Sequence, residues 1–123
     1  MTSAILLVSH VDTIATGVKT LISEVASDIE ILTAAGLEDG GVGTSFERIQ
    51  SVVEASEADT IYAFFDLGSA KMNLEMVQEF TDKDLTIYEV ALVEGAYNAA
   101  ALLQAGIDKA GVEAQLEELR LNK

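Results

Sequence analysis

The only histidine of the chain, His10, stands in the run Ser9-His10-Val11-Asp12-Thr13, directly after the apolar stretch Ile5-Leu6-Leu7-Val8. A neutral imidazole is a competent nucleophile, and an unperturbed ring is mostly neutral at pH 7 because it titrates near ~6.5. The apolar stretch reads as a buried strand, and a helical pattern starts at once behind it. His10 therefore sits at the carboxyl end of a strand and beside a helix N-terminus, where backbone N–H groups and the helix dipole favour an anion. That setting suits a histidine that carries a phosphoryl group. The competing reading is a structural histidine satisfied by a backbone carbonyl.

Asp66 is the natural partner. It closes the apolar and aromatic run Thr60-Ile61-Tyr62-Ala63-Phe64-Phe65. A carboxylate that accepts from one ring nitrogen of His10 fixes the tautomer and frees the other nitrogen. Otherwise Asp66 is an ordinary turn residue. Further hydroxyl and N–H donors that could surround a transferring phosphoryl are Ser9, Thr13, Gly43, Thr44, Gly68 and Ser69. Phosphoryl transfer depends mainly on positioning and charge stabilisation, so such donors could suffice. Ordinary capping is the alternative for each helix start, and it is the main expectation for Ser45. No Lys or Arg is evident at this edge, so positive charge is expected from a partner protein.

The elements that must position these residues alternate strictly. Strands are expected near 3–9, 28–34, 60–66 and 85–90, and helices near 11–26, 44–56, 69–80 and 91–104, with a last amphipathic helix carrying Val112, Leu116 and Leu119. The first helix should bury Val11, Ile14, Ala15, Val18, Leu21, Ile22 and Val25. Thr44-Ser45-Phe46-Glu47 matches a capping box with Thr44 as N-cap. The helix after Ser69 should bury Met72 or Leu74, with Val77 and Phe80, and Gly106 should follow the fourth helix as its C′ residue. The alternation predicts one α/β domain over 1–123, doubly wound, with a mainly parallel four-stranded sheet of order 2-1-3-4 and helices on both faces. That order places the topological switch between strands one and three, whose carboxyl ends carry His10 and Asp66.

Composition narrows the classes. Twenty-one acidic against seven basic residues give a net charge of −14, which speaks against nucleic acid and anionic lipid as partners. The acidic surface serves either solubility or steering towards basic partners. Without cysteine, disulfides and thiolate sites are excluded, and one histidine makes a metal site improbable. No signal peptide or membrane-length apolar stretch is visible, so a cytoplasmic protein is expected. GxxxxGK[ST] is absent, and so is GxGxxG after the first strand. No acidic pair ends that strand, as an aspartyl-phosphate receiver would require.

Four motifs in order then carry a resemblance: Ser9-His10, Val42-Gly43-Thr44, Phe65-Asp66-Leu67-Gly68-Ser69-Ala70 and Leu92-Val93-Glu94-Gly95. Together they resemble the mannose-type enzyme IIA domains of the bacterial phosphotransferase system, in particular the DhaM group of phosphotransferase subunits of PEP-dependent dihydroxyacetone kinases. The resemblance spans essentially the whole chain. It implies that the phosphocarrier HPr phosphorylates His10. The group then passes to ADP on a DhaL-type kinase subunit, and the ATP formed phosphorylates dihydroxyacetone held on a DhaK subunit. It further implies a homodimer, Nε2 as the phosphorylated nitrogen, and no cofactor on this chain, with ADP/ATP and magnesium on the kinase subunit. Some relatives carry extra domains similar to HPr and enzyme I; separate partners are expected here.

Departures from the pattern are glycines where the loop before Val42 often has proline, Ser45 where an acidic residue often follows, and Ala91 where proline is common. They put loop rigidity and any role of Ser45 in question. A sugar-transporter enzyme IIA that phosphorylates a IIB partner is the nearest alternative. Its Asp-Leu-Phe-Gly-Gly-Ser-Pro-like turn is longer than Asp66-Leu67-Gly68-Ser69-Ala70, which favours the dihydroxyacetone branch. A non-catalytic interaction module is a further alternative.

Overall fold

Residues 2–123 are described by a computed structural model. Four strands, β1 (Ser3–Ser9), β2 (Glu30–Ala35), β3 (Thr60–Phe65) and β4 (Asp84–Tyr88), form one parallel sheet in the order β2-β1-β3-β4. The helices between and after them are α1 (Asp12–Ser23), α2 (Phe46–Ala55), α3 (Ala70–Phe80), α4 (Leu92–Gln104) and α5 (Lys109–Leu116), followed by a single 3₁₀ turn at Glu117–Leu119.

The strands build two cores because successive side chains point to opposite faces. Ile5, Leu7, Tyr62 and Phe64 pack on one face with α1, α4 and α5, through Ala15, Val18, Ile22, Ala96, Ala99, Val112 and Leu116. Leu6, Val8, Ala63 and Phe65 pack on the other with α2 and α3, through Ile49, Val53, Leu74 and Val77. β1 and β3 are thus buried on both sides, which is why they read as continuous apolar runs. The expected architecture and strand order are those observed.

Several details differ. Helix α1 ends at Ser23, and its inward stripe is Ala15, Val18 and Ile22, while Ile14 and Leu21 are exposed. Ile14 and Leu21 stand one position before Ala15 and Ile22, about 100° round the helix, beyond the edge of the sheet-facing stripe. In α3, Leu74 and Val77 are buried, but Met72 and Phe80 are exposed. The N-cap of α2 is Ser45, whose hydroxyl accepts from the Arg48 N–H, not Thr44. Thr44 instead accepts from the Asn73 amide of α3 at 2.8 Å, so a long-range contact takes the residue that the local pattern offered as a cap. β2 starts at Glu30 because a turn occupies the preceding residues, and β4 stops at Tyr88, leaving Val90 to bridge antiparallel to Arg120. Gly106, at φ +87°, follows α4 as expected.

Candidate functional site

Register brings the site together. β1 and β3 pair with Val8 opposite Phe65, so the next residues of each leave the sheet side by side, and the Asp66 N–H donates to the Val8 carbonyl at 3.2 Å. His10 and Asp66 therefore meet at the carboxyl edge, at the switch point between the two strands.

The Asp66 carboxylate is fully engaged. Oδ1 accepts from His10 Nδ1 at 2.8 Å and from the Leu67 N–H at 2.7 Å. Oδ2 accepts from the Ser9 hydroxyl and the His10 backbone N–H, both at 2.9 Å. Burial alone would raise the Asp66 carboxyl, but the hydrogen bonds from His10, Leu67 and Ser9 outweigh it and hold the group below its ordinary value. An ionised Asp66 can only accept, so the proton of a neutral His10 ring sits on Nδ1 and the lone pair on Nε2. The ring side chain is 16% exposed and the carboxylate 12%, so the pair is recessed but reachable.

Nε2 faces Ser69 Oγ at 2.7 Å, and the hydroxyl donates to its lone pair. Ser69 occupies the N-cap position of α3, yet its side chain makes no capping bond. Its hydroxyl is turned to the imidazole instead. The N-cap of α1, Val11, likewise offers no side-chain cap. Neither N-cap residue, Val11 of α1 beside His10 in the chain or Ser69 of α3 on Nε2, makes a side-chain capping bond.

The remaining expected residues fall into distinct places. Ser9 is 1% exposed and holds Asp66 rather than facing solvent. The Gly43 N–H donates to the His10 carbonyl at 2.9 Å; at φ +146°, with Leu37 packed 3.1 Å from where a Cβ would stand, that loop position suits glycine. Thr44 is tied to Asn73. Gly68 lies in the turn between Asp66 and Ser69, and Thr13 is exposed on the first turn of α1. The expectation that the chain provides no cation at this edge is overturned: Lys123 Nζ donates to the Phe65 carbonyl at 2.6 Å, and Lys71 pairs with Glu89 at 2.7 Å. Lys123 was not legible, because tertiary structure alone carries the far end of the chain back to β3; Lys71, two residues after Ser69, owes its place at this edge to the first turn of α3.

The family model for EIIA-man, described as the PTS system fructose IIA component, matches residues 4–113. The chain belongs to this family. It is 51% identical over 123 residues, all of both chains, to the phosphotransferase subunit DhaM of a PTS-dependent dihydroxyacetone kinase from Lactococcus lactis subsp. lactis. A phosphoryl donor subunit DhaM of a PEP-dependent dihydroxyacetone kinase from Listeria innocua is 39% identical over 117 residues, covering 95% of this chain and 94% of the relative. Among solved structures, a protein of unknown function superposes with a TM-score of 0.87 at 27% identity, over 99% of this chain and 98% of its own. A sigma-54 interaction domain protein from Enterococcus faecalis shares the fold, with a TM-score of 0.73 at 12% identity over 95% and 89% of the two chains.

Proposed function

We propose that this EIIA-man chain is the phosphoryl carrier of a PEP-dependent dihydroxyacetone kinase, with His10 as the residue that holds the phosphoryl group. The observation that carries the reading is the 2.8 Å contact of His10 Nδ1 with Asp66, which leaves Nε2 as the nucleophilic nitrogen beside Ser69. Full-length identity of 51% to a DhaM subunit supports the dihydroxyacetone branch.

The donor is the phosphohistidine of HPr. Nε2 attacks its phosphorus, the new N–P bond forms as the donor N–P bond breaks, and the donor imidazole leaves with the electron pair. The Nδ1 proton stays in the hydrogen bond to Asp66, which stabilises the positive charge that develops on the ring. Ser69 then donates to a phosphoryl oxygen instead of to Nε2, and the dipole of α3, whose N-cap position Ser69 occupies, favours the added negative charge. In the second half, a terminal phosphate oxygen of ADP on a DhaL-type subunit attacks the same phosphorus and Nε2 leaves. ADP/ATP and magnesium belong to that subunit, with DhaK as the downstream holder of dihydroxyacetone. The same reading carries the homodimeric state and cytoplasmic setting implied by the family resemblance.

The family description as a fructose IIA component favours one second reading, transfer from His10 to a IIB sugar-transporter subunit. The test of the shared step is phosphorylation by PEP, enzyme I and HPr of the wild type and of His10→Ala, read as acid-labile phosphate. Label on the wild type alone is expected; equal label on His10→Ala overturns the assignment.

A further inference from the structure

Glu89 directly follows β4 and uses both carboxylate oxygens on other parts of the chain. Oε1 accepts from Lys71 Nζ at 2.7 Å, and Lys71 stands in the first turn of α3, two residues after Ser69. Oε2 accepts from the Lys123 N–H at 2.8 Å. The Glu89 carbonyl also accepts from the Leu121 N–H at 3.0 Å, so one residue holds the segment 119–123 by backbone and side chain together.

The segment so held lies against the turn that carries both partners of the imidazole. Lys123 Nζ donates at 2.6 Å to the carbonyl of Phe65, the residue immediately before Asp66. A Cβ on Gly68 would stand 3.0 Å from the Lys123 carbonyl carbon and 3.1 Å from its oxygen, so backbone meets backbone there. The turn 66–69 is thus bounded at Phe65 before it, at Gly68 within it, and at Lys71 just past it. Ser69 makes no capping bond that would fix its side chain on α3, and its hydroxyl reaches Nε2 at 2.7 Å. Where that hydroxyl stands therefore depends on where the turn and the first turn of α3 are held.

We propose that Glu89 is a positioning residue of the phosphoryl site: by holding Lys71 and the Lys123 N–H at once, it clasps the turn 66–69 and keeps the Ser69 hydroxyl on Nε2. The effect on phosphoryl uptake rests on the phosphoryl-carrier reading; the placing of Ser69 does not. The Lys71 and Glu89 side chains are 40% and 22% exposed, and pairs this open to water contribute little to stability. Loss of the clasp should thus be read at the ring rather than in the melting temperature.

The test uses protein labelled with ¹⁵N at histidine, where His10, the only histidine, gives a single ring spectrum. Wild type, Glu89→Ala, Lys71→Met and Ser69→Ala are compared with the ring neutral and no phosphoryl donor present. A hydroxyl that donates to Nε2 shifts its resonance, so Ser69→Ala marks the unbonded position. Glu89→Ala and Lys71→Met should move the Nε2 resonance from the wild-type position towards that of Ser69→Ala. A clasp that served packing alone would leave the ring signals in place, and a wild-type Nε2 resonance in both variants overturns the proposal. A Ser69→Ala resonance identical to wild type overturns it too. Lys71→Met removes only the α3 half of the clasp at a half-exposed position, and it decides the matter if Glu89→Ala does not fold. In a second arm, phosphoryl uptake at saturating phospho-HPr should be roughly three- to tenfold slower in Glu89→Ala, with an unchanged KM for phospho-HPr. A wild-type rate overturns the part concerning transfer. If the wild type itself takes no phosphoryl group, the carrier reading falls, and the ring spectrum still decides the role of Glu89.

Discussion

His10 and Asp66 are 56 residues apart in sequence and meet at 2.8 Å because β1 and β3 pair in register and end together. Asp66 is held from four directions, by Ser9, Leu67 and two atoms of His10, so its orientation precedes any ligand. The geometry sets one tautomer of a neutral ring, with the proton on Nδ1 towards Asp66 and the lone pair on Nε2 towards Ser69.

Asp66→Asn keeps the shape but removes the obligate acceptor. The Asn amide can present N–H₂ to the ring and invert the tautomer. Phosphoryl uptake from phospho-HPr should slow by roughly two orders of magnitude, with little change in far-UV circular dichroism. Quenched-flow phosphorylation kinetics measure it, and an unchanged rate would reduce Asp66 to a turn residue.

Two serines at helix starts should behave oppositely. Ser69→Ala removes the hydroxyl on Nε2 but no cap, so uptake should fall by about tenfold at nearly constant Tm. Ser45→Ala removes the cap of α2 and the partner of Glu38, so stability should fall by about 1 kcal/mol while uptake persists. Thermal melts and phosphorylation rates of the two variants check the pair; a stability loss confined to Ser69→Ala would reverse the assignment of roles.

Asp66 also sets an acid limit. Its folded-state pKa lies below the unfolded value of about 3.9, so its contribution is fully present above that value and is lost as pH falls through the folded one. Tm measured from pH 7 downward should therefore drop more steeply for wild type than for Asp66→Asn only below about pH 4. Parallel curves would show that the carboxylate gains nothing from its hydrogen bonds.

Gly95 belongs to the Leu92-Val93-Glu94-Gly95 motif, but its place is structural. A Cβ there would lie 2.5 Å from Val90 Cγ2 and 3.4 Å from the Phe64 ring. Valine is stiff at χ1, so relief requires a shift of α4 against the sheet. Gly95→Ala should cost about 1–3 kcal/mol, read by urea unfolding; a neutral substitution would show that α4 slides freely.

The sheet order, the pairing of His10 with Asp66 and the start of α3 at Ser69 were legible because they depend on local signals: unbroken apolar runs, strict alternation, and polar residues at strand ends. What escaped depends on distant partners. Thr44 and Ser45 are both cap residues by type, and Thr44 is engaged by Asn73, far along the chain, while Ser45 caps α2. Ser69 reads both as a cap and as a hydroxyl donor near His10, and only the position of the ring decides that its hydroxyl serves the second. The inward stripe of α1 excludes Ile14 and Leu21 because the sheet accepts a narrower face than hydrophobicity alone offers. Lys123 carries no local mark of its destination, which the Glu89 and Val90 contacts determine.

The most direct measurement is intact mass after incubation with PEP, enzyme I and HPr, then again after addition of an ADP-loaded DhaL-type kinase subunit. The account predicts a gain of one phosphoryl group and its loss when that subunit is added. A gain that persists would contradict the dihydroxyacetone branch and direct the phosphoryl group to a sugar-transporter IIB acceptor. No gain at all would contradict the central claim and leave His10 a structural residue at the edge of the sheet.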